Sequence, residues 1–316
     1  MPRLLLALLA LLPLARPAAS QEAFPNRPIQ IIYPYSGGGG IDALGRTLAA
    51  GMTPRLGQPV VIINREGAAG GIGTAAAARA PADGYTLVFA PALVVTVLPF
   101  STQGGTPYSL ESFTPLCQTF ENVMTLAVHP ASRFQSLAQL VAEARANPGR
   151  LTYGTLGIGS IPHLAAAEFE RVAGIALQHI PFRGDSAMLV ELSQGRIELG
   201  PTVLGSVAGK DVRLLAIFHA RRHPAFPQVP TAQEQGYPVA PRSFGGLLAP
   251  AGTPAPLLAR LEAACAASAA EPAYREAAAR AFQSEDYYAN ATEYGRRLHE
   301  DVAVKAAQVR RLDLGR

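Results

Sequence analysis

The stretch Ile29-Gln30-Ile31-Ile32-Tyr33-Pro34-Tyr35-Ser36-Gly37-Gly38-Gly39-Gly40-Ile41-Asp42, continuing through Ala43-Leu44-Gly45-Arg46-Thr47-Leu48-Ala49, decides the fold. A β-branched run stops at a proline and passes through four glycines. It then turns helical in period at Leu44, Leu48 and Met52. Four consecutive glycines contribute little packing, but they let the main chain turn freely and approach another group closely. Placed just before a helix, they direct unpaired N–H donors and the positive end of the helix dipole at one spot. That arrangement suits an anion. The plain alternative is a flexible strand-to-helix turn.

The same design continues outward. Pro59-Val60-Val61-Ile62-Ile63-Asn64 reads as a buried strand and ends in a second glycine loop, Glu66 to Gly73, before an Ala-rich helix over 74–79. Asp83-Gly84 turns the chain into another buried strand, Tyr85 to Ala90. Strands apolar on both faces that alternate with helices argue for an α/β protein with a parallel sheet covered by helices. Pro91 to Pro115 reads as irregular, and Leu116 to Val128 as one strand.

Ser136 caps an amphipathic helix that ends at Asn147-Pro148-Gly149. Then the opening design recurs. Strand Leu151 to Gly154 feeds the loop Thr155-Leu156-Gly157-Ile158-Gly159-Ser160-Ile161-Pro162-His163 and a helix over 164–172. Further strands are expected over 178–181, 197–201 and 213–218, with helices over 187–194 and 231–235. Gly245 to Pro254 reads as a strand and turn, and Ala-rich helices close the chain. Two strand–glycine loop–helix units, one in each half, would supply two anion-binding loops able to face each other.

The chain of 316 residues opens with Met1-Pro2-Arg3, an apolar run from Leu4 to Leu14, and small residues up to Ser20. This describes a secretory signal peptide over residues 1–20, too short to span a bilayer. With Arg3 and Arg16 removed, 25 basic side chains face 23 acidic ones, so the charge implies no nucleic-acid partner. Cys117 and Cys265 are open to one bridge in an oxidising compartment, although two buried thiols are the reading preferred here. The six histidines stand apart and give no metal spacing.

Enzyme chemistries fit poorly. Gly38-Gly39-Gly40 gives no dinucleotide fingerprint, and no Walker lysine follows it. Ser160 lacks the second glycine of a nucleophile elbow. His163, one turn into a helix, reads as a capping or core histidine. Asp42 is expected to bond backbone N–H groups at the start of the first helix and stiffen the glycine loop. A direct ligand role would repel an anion. Arg183 is open to pairing with a ligand or to a surface place. Asp185, if it faces a cleft, would disfavour a second carboxylate and favour an amino or hydroxyl group.

Several blocks in order now carry a resemblance: Tyr33 to Asp42, Leu56 to Arg65, Pro81 to Leu87, Leu151 to His163, Val229-Pro230-Thr231 with Glu234 and Gly236, and Gly246 to Pro254. Together they resemble the substrate-binding proteins of tripartite tricarboxylate transporters, the Bug/TctC family. The resemblance implies a type II periplasmic binding-protein fold, with two doubly wound α/β lobes joined by crossing strands. Residues 24–126 and 248–316 would form the first lobe and 127–247 the second. It further implies a small organic carboxylate as ligand, membrane permease subunits as partners, a monomer in the periplasm, no cofactor or metal, and no catalysis. The alternatives are a periplasmic ligand sensor for a two-component system and a periplasmic hydrolase.

Carried over residue by residue, the ligand carboxylate would be held by Tyr35, Ser36, Gly37, Gly38, Gly39, Gly40 and Asp42 of the first lobe. Thr155, Gly157, Gly159, Ser160 and His163 of the second would meet it. Ala92, Arg183, Asp185 and Thr202 would line the remainder. This sequence departs from the family pattern in four places. Ser36 replaces a proline, Pro91 to Val95 replace small polar residues, Asp185 replaces a small neutral residue, and Thr202 stands where an aspartate is common. Fewer polar groups would leave a second carboxylate poorly solvated. A monocarboxylate with an apolar or aromatic body is therefore expected, rather than citrate.

Overall fold

The computed structural model describes residues 24–314; the leader expected over 1–20 lies outside them. Two mixed sheets organise the chain. The first is built from β1 (Ile29–Tyr33), β2 (Val60–Asn64) and β3 (Thr86–Pro91), which pair in parallel. Helices α1 (Gly40–Leu56) and α2 (Gly71–Ala78) connect them. Short helices α3 (Leu93–Thr96) and α4 (Leu98–Ser101) follow in the region expected to be irregular, and lead to β4 (Phe113–Glu121).

The strand expected over 116–128 is in fact two. After β4 the chain leaves the first sheet at Asn122-Val123 and enters the second as β5 (Met124–Val128). Glu121-Asn122 is the polar pair at this break, which the reading of one continuous strand passed over. The second sheet adds β6 (Thr152–Thr155), β7 (Gln178–Pro181), β8 (Leu199–Val203) and β9 (Arg213–Phe218) in the order β7-β6-β8-β5-β9. Helices α5 (Leu137–Ala146), α6 (Ile161–Ala173), α7 (Asp185–Ser193) and α8 (Leu204–Val207) connect these strands. The segment expected as a helix over 231–235 is a turn, and Glu234 accepts the backbone N–H of Thr231 at its start.

The chain returns to the first sheet as β10 (Phe244–Pro250), which inserts antiparallel between β3 and β4. Here glycine is obligatory: a Cβ on Gly246 would lie 2.0 Å from the Cys117 carbonyl oxygen. Helices α9 (Ala255–Ala269) and α10 (Pro272–Arg280), the short β11 (Ala289–Asn290) and the long α11 (Ala291–Arg311) complete the fold. Sheet one runs β11-β4-β10-β3-β1-β2. Helix α11 belongs to both lobes. Tyr294 and Leu298 sit in the first core, while Val309 sits in the second.

Each sheet carries apolar side chains on both faces. Leu44, Leu48 and Met52 of α1 pack with Ile29, Ile31 and Phe89, while Val88, Ala90 and Val94 fill the opposite side. In the second lobe Leu164 and Phe169 of α6 pack with Leu126 and Phe218, and Met188 and Leu192 of α7 lie across the sheet from them. Cys117 of β4 and Cys265 of α9 form a disulfide, which corrects the preferred reading of two free thiols. They are separated by 148 residues in sequence, and only the docking of α9 on β4 brings them together.

Candidate functional site

The strand register fixes where the loops lie. Gly245, at the start of β10, pairs with Pro91 at the end of β3, and Phe244 pairs with Glu121 at the end of β4. The ends of β3 and of its parallel neighbour β1 therefore lie at the edge where the chain crosses between lobes. In the second sheet Met124, at the start of β5, pairs with Val203 and Phe218, the ends of β8 and β9. β6 runs parallel to β8, so Thr155 ends at that edge too. Both glycine loops leave the strand ends that border the crossing. The opening of two α/β sheets at their carboxyl ends is the usual place for a ligand.

In the first lobe residues 36–40 are exposed. Helix α1 starts at Gly40 with Gly39 as cap, and no side chain accepts its first N–H groups. Asp42 stiffens the loop from below. Its Oδ2 accepts the Gly38 N–H at 2.9 Å and Arg46 Nε at 2.9 Å, and its Oδ1 accepts Asn64 Nδ2 at 3.3 Å. Burial pushes this carboxyl up, but the bonds from Arg46, Gly38 and Asn64 outweigh it and hold it below the usual range. Asn64 Nδ2 also donates to the Tyr35 carbonyl at 3.0 Å, and the Tyr35 hydroxyl donates to the Ala69 carbonyl at 3.1 Å. The side chains of Tyr35 and Asp42 thus serve the scaffold; Asp42 takes the Gly38 N–H, and the N–H groups of Gly39 and Gly40 are left without a side-chain acceptor.

In the second lobe Gly157 and Gly159 hold φ of +127° and +76°, in the left-handed region. Ser160 caps α6: its Oγ accepts the His163 N–H at 3.4 Å and donates to the Gly157 carbonyl at 2.7 Å. The Gly159 N–H donates to His163 Nδ1 at 3.1 Å. That imidazole stacks on His179 at 4.2 Å between ring centres, and Tyr153 stacks on the far side of His179 at 4.9 Å. Thr155 Oγ1 meets His179 Nε2 at 2.7 Å and accepts the Gly157 N–H at 3.3 Å. Burial lowers both imidazoles, with His163 adding to the effect on His179, which falls to about 4. They are neutral at ordinary pH and bring no charge to the loop.

The remaining expected residues divide. Ala92 is buried beside the crossing, its N–H donating to the Phe244 carbonyl at 2.7 Å. Asp185 accepts from Thr202 Oγ1 at 3.1 Å and from Ser206 Oγ at 2.6 Å, so both its oxygens are engaged. Asp185, at the start of α7, is thus tied to the threonine that stands where the family commonly carries an aspartate. Arg183 is exposed and has no hydrogen bond or ion pair among the described residues.

Sequence reasoning passed over Arg46, Asn64, His179 and Ser206, whose roles depend on partners distant in the chain. It also passed over Leu156 and Ile158, which stand 41% and 67% exposed in the second loop. Two exposed aliphatic side chains inside a glycine loop were the available signal.

The sequence profile described as "Tripartite tricarboxylate transporter family receptor" matches residues 44–314. The chain belongs to this family. Among curated relatives, Protein BugT of Bordetella pertussis is 37% identical over 241 residues, covering 74% of each chain. The UPF0065 protein in the tcbD-tcbE intergenic region of Pseudomonas sp. strain P51 is 35% identical over 265 residues, 81% of this chain and 78% of that one. Among solved structures, a TctC solute-binding protein from Polaromonas without ligand superposes with a TM-score of 0.77 at 28% identity, covering 91% of this chain and 99% of that one. An R. palustris protein solved with adipate gives 0.78 at 27%, covering 91% and 97%. The periplasmic binding protein BugD gives 0.76 at 25%, covering 92% and 99%. The family receptors thus share the two-sheet fold derived above from register.

Proposed function

We propose that this family receptor is an exported, periplasmic solute-binding protein that captures a small organic carboxylate between its lobes and hands it to membrane permease subunits. We place the lobe division at the crossings, with 24–126 and 248–316 on one side and 127–247 on the other. The observation that carries the reading is the pair of loops at the bordering strand ends, residues 36–40 and 155–160. One of them opens a helix whose first N–H groups no side chain accepts. Such donors stabilise a carboxylate by about 1.5–3 kcal/mol per charge-assisted bond. Closure is then the functional step, because bound ligand favours the closed arrangement. No chemistry on the ligand is required.

Ser36 and the N–H groups of Gly39 and Gly40 would receive the carboxylate from one side, and the loop 155–160, whose own donors hold its shape, would close over it from the other. Leu156 and Ile158 offer apolar surface to the body of the guest. Asp185 would repel a second carboxylate, and its hydroxyl partners Thr202 and Ser206 hold it in place. The adipate-bearing neighbour points to the ligand class, while these residues favour one carboxylate on an apolar body. Calorimetry with aliphatic and aromatic monocarboxylates, adipate and citrate tests this. Tight binding of a monocarboxylate is expected. Tight binding of citrate alone would overturn the specificity, and binding of no carboxylate would overturn the function.

A further inference from the structure

A cavity of about 420 Å3 shares no residue with the loops of the cleft. One wall is the second half of α11, the helix that belongs to both lobes. The other is the segment 238–242, which carries the chain back from the second lobe to the first, together with Glu168 of α6. Three polar side chains of α11 line it while almost wholly buried: Lys305 at 1% exposure, Gln308 at 5% and Asp301 at 7%.

The other charges around this cavity are committed. Arg242 donates through two nitrogens to Glu121, and Arg297 bonds Glu293 and lies 3.6 Å from Glu121. Glu168 is paired with Arg171 and with Arg311, the latter at 2.9 Å. Lys305 differs. Its ammonium makes no hydrogen bond and no ion pair within 4 Å among the described residues, and Gln308 Oε1 is buried without a partner. A buried ammonium without an acceptor and a buried carbonyl without a donor are each costly. Asp301, one turn away on the same helix, offers the ammonium only long-range attraction, and burial pushes its carboxyl up towards the neutral form.

We propose that this cavity is a second ligand site, at the hinge, for a small carboxylate that also carries a hydrogen-bond donor, such as a short hydroxy acid. The carboxylate accepts from Lys305, and the hydroxyl donates to Gln308 Oε1. Because α11 and the 238–242 segment both join the lobes, an occupant tying one to the other would stiffen the hinge. The inference stands apart from the reading of the cleft.

The chain contains two lysines, Lys210 and Lys305, and Lys210 is exposed. Full-length protein labelled with 13C at lysine Cε therefore gives two signals, assigned with Lys210→Arg. Titration with sodium glycolate is expected to move the Lys305 signal saturably and leave Lys210 in place. Acetate, which lacks the donor, should bind more weakly, and chloride at matched ionic strength should produce no saturable change. Gln308→Leu should weaken glycolate by roughly 3–10-fold, the range for one net hydrogen bond. A Gly39→Phe variant, which places a ring at the cleft loop where a side chain meets nothing within 4 Å, should keep the Lys305 response. The proposal is overturned if Lys305 does not respond, if chloride produces the same shift, or if the response vanishes in Gly39→Phe. Unchanged glycolate affinity in Gln308→Leu overturns the assigned donor contact.

Discussion

Arg242 and Glu121 meet where the two strands cross between the lobes, through paired N–O contacts of 3.1 and 3.0 Å. Glu121 ends β4 as the chain leaves the first lobe, and Arg242 precedes β10 as it returns. Arg297 of α11, the third connection, lies 3.6 Å from the same carboxylate. One buried acid thus ties together all three passages. Glu121→Gln leaves Arg242 without its counter-charge, while Arg297 keeps Glu293 at 2.6 Å. A loss of about 2–4 kcal/mol in unfolding free energy is expected, near the cost of breaking a partly buried pair. Urea denaturation measures it, and a loss too small to resolve would mean the pair is only decorative.

The histidine stack behind the second loop predicts an acid sensitivity. His179 falls from an ordinary 6.5 to about 4 in the folded protein. The unfolded chain therefore binds the proton first as pH falls. The stability contributed by the neutral form is complete above pH 6.5 and lost progressively down to about 4. Since His179 is only half-buried, the contribution is discounted to about 1–2 kcal/mol. His179→Gln, which keeps a partner for Thr155 without titrating, should lose less stability than wild type between about pH 7 and pH 4.5. Parallel losses in the two proteins would remove the histidine from the account.

Asp42 holds the first loop through three acceptor contacts. Asp42→Ala frees the Gly38 N–H and Arg46, and should cost about 2–4 kcal/mol of stability from lost charge-assisted bonds. It should also weaken carboxylate binding by roughly tenfold, about 1.4 kcal/mol, because the glycine loop must then be ordered by the ligand itself. Calorimetry on the variant with whichever carboxylate the wild type binds gives the comparison. Unchanged affinity would place the binding determinants elsewhere.

The Cys117–Cys265 disulfide closes a loop of 148 residues in sequence separation. In the chain-entropy picture such a loop stabilises by roughly 5 kcal/mol, and strain or residual structure in the unfolded chain reduces this. Cys117→Ala/Cys265→Ala should lower the melting temperature, with the first lobe, which contains both residues, melting earlier than the second. Calorimetric scanning of the two proteins reads both effects. Coincident melting at the wild-type temperature would be the contrary result.

The sequence by itself determined the units of this protein. Strand, glycine loop and helix are written in short-range signals: apolar runs, the glycines of residues 37–40 and 157–159, and the Ser136 cap. These depend on neighbours only a few residues away. The tertiary structure alone decided that the chain leaves one sheet for the other at Asn122-Val123, since the polar pair Glu121-Asn122 interrupts the run without saying which sheet each side joins. It alone decided that Cys117 meets Cys265, that Asp185 is bonded by Thr202 and Ser206, that His163 rests on His179, and that α11 serves both cores. Each of these is a choice of partner made across tens or hundreds of residues, fixed by strand register and helix docking. Local composition cannot encode which distant group will arrive at hydrogen-bonding distance.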